Sequence, residues 1–156
     1  MPFQIQALDY EPFAPLFAMP DDELAARHAR RVTVAESPAT PCRVSLRDAA
    51  VGERVVLVHY RHQPAASPYR ASHAIFVRES AVRARPAPGE VPPVLSTRLL
   101  SVRLFDADHM MVDADVLDGV RLADRLEAAF ADPAVAYAHI HNARPGCFAA
   151  RAERAA

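Results

Sequence analysis

The period of apolar and polar positions changes along this chain, and the changes mark its elements. "ERVVLVHYRH" (53–62) holds the densest apolar run, Val55 to Val58, with no polar face. A strand that is apolar on both faces must be covered on both, so this one is predicted to lie centrally in a sheet. "HAIFVRE" (73–79) predicts a second buried strand, and "QPAASPYRAS" (63–72) between them is too long for a tight hairpin. "LLSVRLF" (99–105) and "HMMVDA" (109–114) flank Asp106-Ala107-Asp108 and predict a hairpin. Two further strands are expected at 135–141 and 147–153.

Helical spacing governs two other stretches. In "DGVRLADRLEAAFADP" (118–133), Leu122, Leu126, Ala129 and Phe130 share a face, Asp118 is placed to cap the start, and Asp132-Pro133 ends the run. "PDDELAARHARR" (20–31) predicts a shorter N-terminal helix, with Asp21 as cap, acidic residues in the first turn and arginines in the last. A short strand follows at 31–34, and "SLRD" (45–48) has the capping-box pattern of a helical turn. "RARPAPGEVPPV" (83–94) is excluded from regular structure by its prolines. Neither side of it holds a complete core, so it reads as a surface loop rather than a linker. Strands gathered around one long helix predict an α+β fold. The expectation is a single compact domain over 1–156, its mainly antiparallel sheet packed by the helix at 118–131 and the shorter N-terminal helix.

Composition narrows the chemistry. All 18 basic residues are arginine, so Schiff-base catalysis, a pyridoxal-phosphate lysine and a Walker A loop are excluded. The four glycines are scattered and form no phosphate cradle. Arginine enrichment beside abundant alanine and 14 prolines reads as GC-rich coding, or as a device for binding anions. A net charge of −1 argues against nucleic acid and anionic membrane as partners. No apolar run approaches the roughly 20 residues that span a bilayer. The opening "MPFQIQALDYEPF" lacks the basic and apolar regions of a secretory signal. With only two cysteines, a cytoplasmic location is expected.

Candidate chemistry concentrates in "AYAHIHNARPGCFAAR" (136–151). On a strand, Tyr137, His139 and His141 share one face, and Ala138, Ile140 and Asn142 share the other. His-x-His is a metal-ligand spacing, and Cys42 with Cys147 would complete a Cys₂His₂ set. Zinc sites use close cysteine pairs, however, which these are not, so neither metal nor cofactor is expected. Cys147 could instead be a nucleophile, with His139 or His141 as base and Asn142 as orienter, or simply a buried small hydrophobe. Pro145-Gly146 suits a loop longer than two residues, with Gly146 at positive φ. Arg43, with Arg47 and Arg144, could grip an anionic ligand, or pair structurally with Asp48, Glu53 or Asp106. Asp106 and Asp108 read as turn chemistry, and Asp113 with Asp115 as a solvated strand edge.

Two functional readings stay open. One is binding of, or action on, a small anionic ligand in a pocket rimmed by Arg43, Arg144, Asn142, His139, His141 and Cys147. The other is a non-catalytic interaction module that uses residues 83–94 or an exposed sheet edge. Oligomeric state is not readable from the sequence.

Several longer stretches carry a resemblance. These are "ARRVTV", "TPCRVSLRDAAVGERVVLVHYRHQPAASPYRASHAIFVRE", "FDADHMMV" and "DPAVAYAHIHNARPGCFAARAER". Together they resemble the bacterial proteins grouped as domain-of-unknown-function family 1203, over roughly residues 13–154. Pro-Cys-Arg near 42, Ser-Pro-Tyr near 68 and Asn-x-x-x-Gly-Cys near 146 carry it in combination. His73 departs from the Gly-Pro usual before Ile-Phe-Val in that family. The resemblance implies one domain and no particular reaction.

Overall fold

Val55 to Val58 do lie at the centre of a sheet. The computed structural model describes residues 2–156, which form eight strands and three α-helices. In chain order the first half holds β1 (Phe3–Gln6), α1 (Asp21–Ala26), β2 (Ala29–Thr33), β3 (Arg54–Gln63) and β4 (Ala71–Arg78). The second half holds α2 (Pro93–Ser96), β5 (Leu99–Phe105), β6 (Met111–Asp118), α3 (Leu122–Phe130), β7 (Tyr137–Asn142) and β8 (Phe148–Arg154). They build one α+β domain from two antiparallel sheets, ordered β2-β3-β4 and β1-β8-β7-β5-β6. The expected central strand is therefore central, but in the smaller sheet.

One face of the five-stranded sheet is apolar. Ile140 of β7 lies opposite Val102 of β5 and Ala150 of β8, and Ala138 opposite Leu104 and Ala152. Helix α3 packs Leu122, Leu126, Ala129 and Phe130 against this face together with Phe3 and Ile5 of β1. A second core lies under the smaller sheet, where Val56, Val58, Ile75 and Val77 meet Leu24, Cys42 and Val44. No described helix is long and apolar enough to cross a membrane.

Several sequence expectations need correction. The N-terminal helix stops at Ala26, and Ala29–Thr33 pairs with β3 instead. His28 takes φ 53°, which ends the helix, and Arg31 is held by the carbonyls of Leu16, Phe17 and Met19. Non-local pairing here outweighs the helix propensity of Ala and Arg. Asp21 is the first helical residue rather than its cap. Asp118 ends β6, and a 3-10 turn at Gly119–Arg121 precedes α3. The turn expected at 45–48 closes earlier, through Leu46 N–H to Cys42 O (3.1 Å) and Cys42 N–H to Arg47 O (3.0 Å). Asp48 leaves the capping box to bind Arg98. Residues 83–92 carry no helix or strand, but Pro93 and Val94 open α2, because the first helical turn tolerates proline. β1 and its Phe3/Ile5 alternation were not anticipated.

Gly119 is the one glycine of the four whose Cα packs directly against other backbone. Its N–H donates to Arg98 O (2.8 Å), and a Cβ there would stand 2.0 Å from Leu95 O. Two stability measurements by urea denaturation follow. Leu126→Ala, fully buried under the sheet, should cost about 2–5 kcal/mol. Gly119→Ala should also destabilise, because backbone atoms must move, whereas Gly89→Ala meets no neighbour and should strain only its own φ of 81°. A neutral Gly119→Ala would contradict this packing.

Candidate functional site

The sequence-nominated residues separate into two places. Arg43, Asn142, Arg144 and Cys147 line one cavity of about 870 Å³, together with His73, Phe76, Arg98 and Asp118. His139 and His141 do not line it. They are buried between the two sheets.

Arg43 owes its position to the turn after Cys42. Cys42 forms a parallel bridge to Phe76 of β4, so the next backbone N–H donates to Phe76 O (3.1 Å) and the side chain is turned inward. Only 2% of Arg43 is exposed. Its Nε donates to Phe148 O (2.7 Å), Nη1 to Pro41 O, and Nη2 to Cys147 Sγ (2.9 Å). Among the described residues no carboxylate pairs with it. The expected ion pairs go elsewhere: Asp48 binds Arg98 (2.7 Å) and Glu53 binds Arg78, while Asp106 caps its own turn. Burial lowers the pKa of Arg43, and the adjacent Cys147 sulfur opposes that shift.

Cys147 sits at the end of the β7–β8 loop. Five residues, 143–147, form that loop, closed by Asn142 N–H to Cys147 O and Gly146 N–H to Asn142 O (both 2.9 Å). Gly146 takes φ 81°, as expected of this turn. Asn142 Nδ2 lies 3.6 Å from Cys147 Sγ, while its Oδ1 is buried without a partner. Neither histidine hydrogen-bonds to the sulfur, so the Cys-His nucleophilic pair is not assembled. Among the described residues Arg144 is exposed at the cavity rim and makes no ion pair or hydrogen bond. Arg47 is exposed and does not line the cavity. Cys42 is a core residue whose sulfur accepts from the Ser45 and Arg78 backbone N–H groups.

The second place is an imidazole cluster. Tyr137, His139 and His141 share the face of β7 that the sequence period assigned them. β-Bulges build the surroundings. In β8 the register slips at Ala149, so Phe148 rather than Ala149 lies opposite His141. In β3 it shifts between Tyr60 and Gln63, and His62 and Gln63 are both buried. His62 stacks on Phe148 at 5.5 Å and meets His141 edge-on at 4.8 Å. Gln63 Nε2 donates to Tyr137 Oη (3.0 Å), which also contacts His109 Nδ1 (2.8 Å). His62, Gln63, His73 and Arg98 were not nominated from sequence. His62 has the parity of Val56 and Val58, but its partners lie in the other sheet.

One ring nitrogen from each of His62, His139 and His141 lies within 4.8 Å of the others. This is the metal-competent group among the described residues, and it contains neither cysteine. His141 Nδ1 is 3.0 Å from Gly146 O, a carbonyl that can only accept. Nδ1 therefore carries the proton, and Nε2 bears a lone pair that is buried without a partner. Burial pushes His62 down to about 4, and His139 and His141 to about 3, with neighbouring imidazoles and arginines adding to the effect.

The sign of the pH dependence follows. An unfolded histidine protonates below about 6.5, while these three stay neutral in the fold until pH is near 4 or 3. Stability is thus complete at neutral pH and falls as pH drops below 6.5, by up to about 4 kcal/mol per pH unit for three such residues. Urea unfolding of metal-free protein at pH 7, 6 and 5 should show this fall, and His62→Gln should make it shallower. Equal stability at pH 7 and 5 would refute it.

No curated protein and no solved structure matches the chain. The family model described as "Protein of unknown function (DUF1203)" matches residues 39–154, which takes in Arg43, Asn142, Arg144, Cys147 and all three clustered histidines. The chain belongs to that DUF1203 family.

Proposed function

We propose that the protein binds a small anionic ligand in the Arg43–Cys147 cavity, with Cys147 placed to act on it. The observation that carries this reading is the unpaired buried guanidinium. A buried cation without a counter-charge is costly, and protein carboxylates normally supply one. Here Nη2 points instead to a sulfur on the cavity wall. An incoming carboxylate or phosphate would complete the pairing. Arg98 is already neutralised by Asp48, so Arg43 and the rim Arg144 are the cations left to the ligand. The buried Asn142 Oδ1 adds one free acceptor, which favours an anion that also carries a hydrogen-bond donor. The volume falls within the roughly 300–1,000 Å³ of small-molecule sites. The two unbonded cysteines fit the reducing cytoplasm expected from sequence.

A second reading, a protein-interaction module, draws on β6. It forms an edge of the larger sheet and exposes Val112 and Val116. Arg125 pairs with Asp113 and Asp115 along the same strand, a charged edge of the kind that discourages indiscriminate pairing.

A thermal-shift series with phosphate, sulfate, hydroxy acids and amino acids separates the readings. A true ligand at a hundredfold excess over Kd should raise Tm by about 5–10 °C. Arg144→Ala should leave the ligand-free Tm within about 1 °C and weaken binding about tenfold, as loss of one charged hydrogen bond does. Absence of a shift with every anion, or a shift untouched by Arg144→Ala, would remove support for the cavity.

A further inference from the structure

We infer that His62, His139 and His141 form a buried three-imidazole site for one late first-row divalent cation, zinc being the representative. This site is separate from the cavity proposed above. Three independent observations support it. The ligand nitrogens already lie within 4.8 Å of one another, against the about 3.3 Å that Zn–N bonds of about 2.0–2.1 Å impose at a tetrahedral angle, so side-chain rotations that close this gap would bring them to bonding distance. Two ring nitrogens, His62 Nδ1 and His141 Nε2, are buried and have no hydrogen-bond partner. Buried polar atoms are almost always satisfied, so two orphans in one cluster point to a missing shared partner. Finally, His141 is held as metal-binding histidines are, with its other nitrogen donating to the Gly146 carbonyl, which fixes both tautomer and ring direction.

The donor set also specifies the ion. Neutral imidazoles without a carboxylate suit zinc, copper or nickel and exclude calcium and magnesium, which need oxygen ligands. Arg103 adds positive charge nearby, so the ion must be held by directional nitrogen bonds rather than by charge. Three protein ligands leave one position for water or another small donor, the coordination of catalytic rather than structural zinc. The expectation of no metal weighed only His139, His141 and two distant cysteines. The third ligand comes from β3, in the other sheet.

Cobalt is the direct probe, since its visible spectrum reports coordination. Chelator-treated protein titrated with Co²⁺ should show ligand-field bands that saturate at one ion per chain and disappear when Zn²⁺ is added. Zn²⁺ alone should raise Tm. His62→Gln and His141→Gln, each checked for folding by circular dichroism, should weaken Co²⁺ binding at least about 100-fold. If His141→Gln does not fold, His62→Gln, nearer the sheet end, gives the answer alone. The double substitution His28→Gln/His59→Gln, at an exposed histidine pair, should leave the titration unchanged. The inference fails if no saturable binding occurs, if binding survives His62→Gln, or if it is lost with the exposed pair.

Discussion

The fold turns on one buried guanidinium. Arg43 joins three parts of the chain that lie far apart in sequence. Its backbone N–H is bound to Phe76 in the smaller sheet, its carbonyl accepts from Leu8 just after β1, and its side chain reaches Phe148 and Cys147 in the larger sheet. Each donor that finds a carbonyl offsets part of the cost of removing that charge from water. The sulfur is the exception. One of the residues that tie the sheets together is therefore also the one that leaves the cavity with a positive charge no carboxylate balances.

The larger sheet divides its two faces by chemistry. One is apolar and supplies ordinary core under α3. The other carries Phe105, Tyr137, His139, His141 and Phe148, and His62 near the end of β3 packs on it at the histidines. Period-2 alternation puts these residues on one side, but two bulges set their contacts. Without the slip at Ala149, a methyl group rather than an aromatic ring would lie opposite His141. The cluster is thus a product of irregularity in otherwise regular strands.

Much of this could be read from sequence where the cause was local. The strand at 54–63, the β5–β6 hairpin, the face of α3 and the positive φ of Gly146 all follow from period or turn chemistry. What failed depended on distant partners. Ala29-Arg30-Arg31 reads as helix until β3 is present to pair with it, and Gln4 and Gln6 look too polar for a strand until β8 lies alongside. The site followed the same rule. Arg43, Asn142, Arg144 and Cys147 were chosen by residue type and converge on one cavity, whereas His139 and His141 belong with His62, which only the packing of two sheets reveals.

The pairing of β1 with β8 has a consequence for the order of folding. Gln6 and Glu153 are joined across 147 residues of chain, and β8 fills an interior position of its sheet, between β1 and β7. A chain synthesised from its N-terminus makes Phe3 and Ile5 well before β8, the strand they pair beside. Closing so large a loop is entropically demanding and slows assembly. The smaller sheet, whose strands are neighbours in sequence, needs no such wait, so it is the part able to form while the rest is still being made.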